Sequence, residues 1–557
     1  MSTRERKIIS PLKKFARFIG IFIRNRRGLV GLAIILGFGV LALGAPLWTP
    51  YDPTAERFVS GQYAAPSWLD YLPPALGGMP GAAQNMEVAD NANFTNGLET
   101  WKYSADSHVS IDYSSDASYD DGGGSAKILF TRNETGTTYG KVTATLYKEF
   151  DFPYQGAPRK FLANIDMLAG GTSYMINETL RNETWRYGID PDEFHYIIGP
   201  AKIMEVNMTV SVFMSREYDN ASFYLWPYRS MTLYGLKHPG IVGNTKPSPG
   251  TIYKIADKWI TSSAFPIDSG YISFPVANVS GNSAFNLFTP DSTPGKFILG
   301  INVTFNDLYY PNKPVEASLN IDDFDITFLG TIWGIMGTDY IGRDLWSQLV
   351  YGARISLYVG LLASIIGVVI GLIVGLAAGY MGRYVDELLM RFSDLLLVIP
   401  TLPLLIVLVA VLGPALENLI ILIGFLGWMG FARLVRSQVL SLRERPFVEA
   451  AKAVGAGKTH IMSKHIFPNV ISLVYVSLAT SVPGAIVSEA ALSFLGFYDP
   501  NKISWGRMLY DVQANGAAQY WWWVIPPGLC IALLAIAFVL LGFALDEVFN
   551  PRLRMRR

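Results

Sequence analysis

The sequence is short of cysteine, of histidine and of charge. One cysteine, Cys530, stands among 557 residues, so no intrachain disulfide can form and any exposed domain must hold together by its own core. Of the five histidines, His460 and His465 are five apart, a poor match to one helical face, and no metal site follows from them. Charged residues make up only 16% of the chain and hydrophobic ones 50%, which excludes an ordinary soluble enzyme and indicates a membrane protein. No Ser/His/Asp, Cys/His or paired-carboxylate constellation is placed for chemistry, so no catalytic residue is expected.

Net charge is also lacking: 45 bases balance 45 acids. The balance is not local. Residues 1–27 hold nine Lys or Arg against Glu5 alone, residues 85–330 hold 28 acids to 18 bases, and residues 550–557 hold four Arg and no acid. Basic ends with an acidic middle suggest ends on one side of a membrane and a middle on the other. The basic ends read as cytoplasmic retention signals, and nucleic acid is not an expected partner.

What is present fits that reading. A membrane helix needs about 20 mostly apolar residues. The first such run is Gly28–Trp48, too long for a signal peptide and without a small-residue cleavage site. Five more follow, near Ile355–Tyr380, Leu395–Leu412, Leu419–Val435, Val470–Phe494 and Val524–Leu545. The loop from Arg433 to His465 carries seven Lys or Arg, whereas "GPALEN" carries none and Tyr498–Trp523 carries two. The positive-inside rule then puts both termini in the cytoplasm and the segment between spans 1 and 2 outside. The domain plan is a cytoplasmic basic tail over 1–27, a first span over 28–48 and an extracytoplasmic linker over 49–84. An insertion over 85–330, a segment over 331–352 leading to span 2, a helical core over 353–549 and a cytoplasmic tail over 550–557 complete it.

Eight N-x-[ST] triplets, at Asn93, Asn133, Asn177, Asn182, Asn207, Asn220, Asn278 and Asn302, all fall in the insertion, as glycosylation of an outside face would require. The alternative, less favoured, is a segment simply rich in Asn, Ser and Thr. The insertion alternates at period two in stretches such as "KVTATLYKEFDF" and "KFILGINVTFNDLYY", so an all-β antiparallel sandwich is expected. "NANFTNGLETWKYS" (Asn91 to Ser104), "DGGGSAKI" and "LNIDDFDI" resemble the first and last strands of galactose-binding-like jelly rolls. On that resemblance Trp101, Tyr154, Trp185 and Trp226 are candidates to stack on sugar, against the plainer reading as core or rim aromatics. Asp120–Asp121 and Asp322–Asp323 are weighed as Ca²⁺ ligands against solvated turn acids, and the second reading is preferred.

One stretch invites a misreading. "EAAKAVGAGKTHIMSKHIFPN" (Glu449 to Asn469) contains GAGKT, the second half of a phosphate-binding loop. The first Gly of that loop belongs at 452, which is Lys452, and helix formers rather than a buried strand precede it. Nucleotide binding by this chain is therefore not expected. The stretch reads instead as a short helix over Glu449 to Val454, broken at Gly455 and Gly457, then a second helix running to Pro468, where span 5 begins. Such a turn between two spans suits docking: Ala450 and Ala451 allow close approach and Glu449 offers a carboxylate.

"EAAKAVGA…IFPN" resembles the EAA loop of binding-protein-dependent ABC importers. "NRRGLVGLAII", "PYDP", "MGTDYIGRDLWSQLVYGARISL", "GYMGRYVDELLMRFSDLLLVIP", "EAALSFLGF", "SWGRML" and "NPRLR" are similar to the C-type permeases of the dipeptide/oligopeptide branch. The resemblance covers residues 24–53 and 336–557; the large insertion departs from it. It implies a six-helix ABC importer permease fold, into which the domain that resembles a jelly roll is inserted on the extracytoplasmic side. It implies an EAA loop at 443–469 with Glu449, Ala450, Ala451 and Gly455 coupling to an ATPase. It also implies a second homologous permease, two ATPase subunits that bind ATP and Mg, a solute-binding protein, and no cofactor on this chain. Peptides are the implied solute, with oligosaccharide import by the same architecture or a membrane-anchored receptor as rivals.

Three further expectations concern single sites. Gly337, Thr338, Asp339, Gly342, Arg343 and Asp344 make up the motif "GTDYIGRD", in which Asp339, Arg343 and Asp344 form ion pairs that fix how the outer domain joins the membrane core, or else touch the delivering binding protein. Glu489 lines the translocation path or makes a plain hydrogen bond. Pro400 and Pro403 bend span 3, and Trp521, Trp522 and Trp523 anchor span 6 at the interface.

Overall fold

In the computed structural model the described residues are 25–549, apart from 57–58, 119–122, 134–135, 156, 172, 177–200, 205, 217–221, 236–250, 255–271, 276–287, 289–292 and 308–313. They divide into two units, one formed by residues up to Val59 together with Gly334 onward, the other by Ser60–Trp333.

The first unit is helical, and glycine spacing organises it. The helix α1 (Arg26–Leu43) precedes α2 (Leu345–Met381), a 37-residue helix capped by the Asp344 carboxylate on the Ser347 N–H. Gly367, Gly371, Gly375 and Gly379 recur every four residues, so they share one face of α2. That face meets the helices α5 (Leu416–Leu426) and α6 (Met429–Arg443) at backbone distance. A Cβ placed at Gly375 would stand 2.6 Å from the Ala432 carbonyl oxygen, and one at Gly371 2.8 Å from that of Trp428. Close backbone approach replaces the hydrophobic effect as the source of cohesion where the surroundings are apolar.

Between α2 and α5 lie α3 (Arg383–Val398) and α4 (Thr401–Leu412), bent 90° to each other. A single crossing over Leu395–Leu412, bent at Pro400 and Pro403, was the expectation; the break falls at Ile399–Pro400 and divides two separate helices. Pro400 forces Ile399 into an extended conformation (φ −76°, ψ 127°), so the helix stops rather than kinks. Arg436 grips Asp386 with two nitrogens, and Arg433 pairs with Asp394, tying α3 to α6.

A short helix α7 (Pro446–Ala453) is followed by α8 (Lys458–Phe494), then α9 (Trp505–Ala514) and α10 (Trp521–Phe549). The helix after Gly457 does not end at Pro468, as the sequence suggests. It passes through a π turn at Met462–Ile466 and continues as one rod of 37 residues. The wider turn opens the backbone where the Pro468 ring would meet the preceding carbonyls. Five helical stretches among the described residues are long and apolar enough to cross a membrane, six if α3 and α4 count together. Trp523 is buried and only Trp521 of the tryptophan run is exposed.

The second unit is a sandwich of two six-stranded sheets. Strands β1 (Met86–Val88), β3 (Val109–Ser114), β4 (Ser125–Arg132), β6 (Lys160–Gly171), β12 (Ile272–Pro275) and β14 (Val315–Leu329) form one, in the order β12-β6-β14-β4-β3 with β1 also on β14. The other has the order β11-β10-β9-β13-β5-β2, with β2 Lys102–Ala105, β5 Gly140–Phe152, β9 Asn207–Arg216, β10 Ser222–Gly235, β11 Thr251–Lys254 and β13 Gly295–Asp307. A separate pair joins β7 (Ser173–Ile176) to β8 (Ala201–Met204). All pairings are antiparallel except β10 with β11. Alternation drives burial: along β13, Phe297, Leu299, Ile301, Val303 and Phe305 all face the core. Phe130 stacks on Phe305 at 5.6 Å and Phe288 on Phe297 at 4.8 Å. At one end Arg132 and Asp307, both fully buried, join β4 to β13 across the sandwich, and the Tyr139 N–H donates to the second Asp307 oxygen at 2.9 Å.

Residues 60–84 belong to this unit and are not a free linker. The Thr331 N–H donates to Ala83 O at 2.8 Å and the Trp333 N–H to Ala65 O at 2.7 Å, so the leading segment is stitched to the chain leaving β14.

Candidate functional site

Two places in the helical unit collect residues that the sequence marks, and a third, a cavity, collects residues that it does not. The first is the turn before α2. Gly337 and Gly342 have φ of 76° and 78°, a conformation open to glycine, and they fold 337–344 back on itself. The Asp339 carboxylate then accepts the Ile341 and Arg343 N–H groups, the Arg343 Nε at 2.6 Å and the Gln348 Nε2 at 2.8 Å. Arg343 Nη2 reaches Asp511 on α9 at 3.3 Å. Thr338 pairs with Asp344 across the turn, and Thr49, after α1, shares a short hydroxyl contact with Ser347. Six marked residues thus close into one buried clamp that joins the end of α1, the start of α2 and α9. Sequence reading missed Asp511, since nothing in "DVQANG" marks an acid 168 positions away as the partner of Arg343. Burial pushes the Asp511 carboxyl up to about 6, against the opposing pull of Arg343 and Arg507.

The second place is α7. Pro446 starts it, Val448 roots it in the core beside Val439 and Ile466, and Gly455, at φ 82°, ends it. Glu449, Ala450 and Val454 are exposed, Val454 to 86%, while Ala451 is half-buried. The ammonium of Lys452 stands 6.0 Å from the Tyr380 ring. One side of α7 is therefore anchored and the other presents an acid among small and apolar groups.

The third place is a cavity of about 460 Å³ between α2, α4, the α5–α6 pair and α8. Ser364, Thr401, Ser477, Thr480, Ser481 and Ser488 bring hydroxyls to it, and Gly430 and Gly484 bring bare backbone. The sequence held a signal that was not used: Ser477, Thr480, Ser481, Gly484 and Ser488 are spaced three or four apart, one helical face. Glu489, the path candidate, does not line this cavity. It is 2% exposed and accepts the Ser493 hydroxyl at 2.7 Å, the plain hydrogen-bonding alternative.

In the sandwich, Trp101 is core: it lies 5.2 Å from Phe324 in a stack and donates from Nε1 to Asn91 O. Tyr154 packs against the same core, while Trp185 and the Trp226 side chain lie outside the described residues. Asp322 is buried and accepts the Ser118 hydroxyl at 3.2 Å, not a solvated turn acid; Asp120 and Asp121 lie outside the described residues. No group of three or more His, Cys, Asp or Glu that could hold a metal occurs among the described residues. Asn93 and Asn133 are exposed, but Asn302 sits mid-strand on β13, half-buried, opposite Thr145 and Ser211. Asn177, Asn182, Asn220, Asn278 and the Asn207 side chain lie outside the described residues.

A bundle of membrane-length helices, with a buried clamp at one turn and a hydroxyl-bearing cavity between its helices, is the frame of an integral membrane protein. Residues 367–555 match the family described as "Binding-protein-dependent transport system inner membrane component", and residues 10–74 match the N-terminal transmembrane domain of oligopeptide transport permease C. The chain belongs to this family, as a permease of the peptide ABC transporter kind. It is similar to the dipeptide transport system permease protein DppC of Bacillus subtilis, 39% identical over 39% of this chain and 68% of that one. It is likewise similar to the probable peptide ABC transporter permease protein y4tQ of Sinorhizobium fredii, 45% identical over 40% of this chain and 76% of that one. Among solved structures, a chain of the MetNI methionine ABC transporter in an inward-facing conformation is 20% identical, over 36% of this chain and 94% of that one, with a TM-score of 0.30.

Proposed function

We propose that this chain is the transmembrane permease subunit of an ATP-driven importer, passing di- and oligopeptides delivered by a solute-binding protein. It pairs with a second, homologous permease and with two ATPase subunits that carry ATP and Mg. Both termini and α7 face the cytoplasm, and the Ser60–Trp333 sandwich lies outside; the basic ends and the grouping of the sequons support this orientation.

The observation that carries the reading is α7 itself. A short helix rooted by Val448, with Glu449, Ala450 and Val454 left open, offers a partner a knob on an otherwise packed unit. Glu449, Ala450, Ala451 and Gly455 are its coupling residues. Coupling requires that ATP favour one arrangement of the spans over another through differential contact at this knob.

The test is co-purification followed by uptake. The full chain, expressed with its permease and ATPase neighbours, brings an ATPase with it, and vesicles holding the assembly accumulate labelled peptide on addition of ATP. Glu449→Lys and Gly455→Val insert normally but lose at least about tenfold of peptide-stimulated hydrolysis, the equivalent of about 1.4 kcal/mol of coupling. Wild-type uptake in both variants rules the coupling role out.

A further inference from the structure

Four glycines line the cavity, and Gly430 and Gly484 differ from Gly367 and Gly427, whose Cβ positions are crowded by neighbouring backbone. A Cβ at Gly371, Gly375 or Gly379 would collide with a neighbouring helix, whereas a Cβ at Gly430 or Gly484 meets nothing within 4 Å. Packing within this chain accounts for the first set and leaves the second unexplained. Glycine inside a helix costs about 0.5–1 kcal/mol relative to alanine. What a bare backbone gives at Gly430 and Gly484 is clearance in the cavity they line.

The wall around that clearance has a definite chemistry. None of the residues lining it is titratable. Thr480 donates its hydroxyl to Val476 O at 3.0 Å and Ser481 to Leu478 O at 3.2 Å, so both turn oxygen lone pairs, not protons, outward. Ser364, 4% exposed, lines the cavity and its hydroxyl has no partner. The one acid close by in sequence, Glu489, is turned away and bonded to Ser493. Such a wall is mostly apolar, carries hydroxyls that accept from N–H groups (Ser364 can also donate), and has no charge to trap or repel a side chain. Its volume of about 460 Å³ falls in the range of about 300–1,000 Å³ typical of small-ligand sites.

We infer that this cavity is the chain's share of the solute path, that Gly430 and Gly484 set its bore, and that it selects short peptides by girth and backbone N–H groups, not by side-chain charge. The inference rests on the peptide-importer reading above and assigns residues and selectivity to it.

The experiment uses the whole transporter in vesicles. In a Cys530→Ala background, Gly430→Cys and Gly484→Cys react with a small water-soluble methanethiosulfonate, and excess trialanine slows the reaction about fivefold or more. Gly484→Leu cuts tetra-alanine uptake about tenfold or more while dialanine uptake falls less than about threefold, as overfilling a confined bore requires. Ser481→Asp makes uptake of Ala-Lys-Ala and Ala-Glu-Ala differ by about tenfold, where the wild type treats them within about threefold. Cysteines that stay unlabelled or unprotected, a leucine variant carrying every length at the wild-type rate, or equal loss of all lengths in an assembled complex overturns the inference. Import by the wild type with unchanged variants overturns the inference alone; a wild type that imports no peptide overturns the functional reading with it.

Discussion

The two units hide their apolar residues in opposite ways. In the sandwich the large rings go inside: Phe130, Phe152, Phe297, Phe305, Phe324 and Phe328 are all fully buried. In the bundle, glycines at 367, 371, 375 and 379 bring α2 against its neighbours, beside buried rings such as Trp505 and Trp523, while leucine and valine are left on the outside, Val411 to 78% and Val398 to 83%. The sandwich is organised by water, which drives phenylalanine inward and rewards buried area. The bundle has no such drive across its outer face, because lipid is as apolar as leucine; backbone contact between helices must supply the cohesion. One chain therefore carries two rules for what a core is, and the boundary between them falls at Val59/Ser60 and Trp333/Gly334.

Substitutions test that contrast most severely where the two rules disagree. Gly375→Leu places a side chain where the Ala432 carbonyl already stands, so the helical unit fails to assemble and full-length protein disappears from a size-exclusion profile in mild detergent. The same change at Gly430, where nothing stands within 4 Å, leaves the profile intact. Recovery of both variants at equal yield breaks the glycine argument.

Phe305→Ala is the sandwich's counterpart and costs about 3–5 kcal/mol through the cavity it leaves. Measured as protease resistance of the full chain, the Ser60–Trp333 region is cut at lower denaturant while the helical bands persist. Simultaneous loss of both units contradicts their separate cohesion.

The clamp before α2 contributes a smaller, pH-dependent effect. Asp511 titrates near 6 in the folded protein, above the ordinary carboxylate value, because burial favours its neutral form. A group whose folded pKa is raised contributes stability fully present below the unfolded value and lost as pH rises through the folded one. The wild type therefore gains stability on going from pH 7 to pH 5, by about 1 kcal/mol from this group. Asp511→Asn removes that gain, and its melting temperature varies less than the wild type's between those pH values. An unchanged pH slope in the variant discounts Asp511 as the source. Smallest of all is Val411→Ala on the outside of α4, which changes stability by less than about 0.5 kcal/mol because no core contact is lost.

Much of this was legible in the sequence, and what was not has identifiable causes. Period-two alternation marked the long strands β5, β9, β13 and β14, since it is the direct imprint of a sheet with one buried face. Spans 1, 2, 5 and 6 were plain as apolar runs, though α2 starts at Leu345, ten residues before its apolar window, because a cap and not hydropathy decides where a helix begins. Pro400 announced an interruption but could not announce 90°, which depends on what the freed segments pack against. Pro468 misled, because a π turn upstream absorbs it. Of the sites, the GTDYIGRD turn was readable as a set of ion pairs, but its partners Asp511 and Gln348 come from distant positions and carry no local mark. The hydroxyl face of α8 was readable in principle, at helical spacing, and was obscured by the general abundance of serine. Trp101 was the opposite case: an aromatic weighed for sugar that turned out to be core.

The continuity of α8 has a mechanical consequence. At about 1.5 Å per residue its 37 residues make a shaft of about 55 Å. Its foot is hinged at Gly455 to α7, and its upper half carries Ser477, Ser481 and Ser488. With no loop between foot and wall, the shaft runs as helix from Lys458 through the π turn at Met462–Ile466 and past Pro468 to Pro483, which stands beside Gly484. A proline in a helix interior lacks the N–H of its own turn, so Pro483 is the weak point of the shaft beside the cavity wall that Gly484 lines.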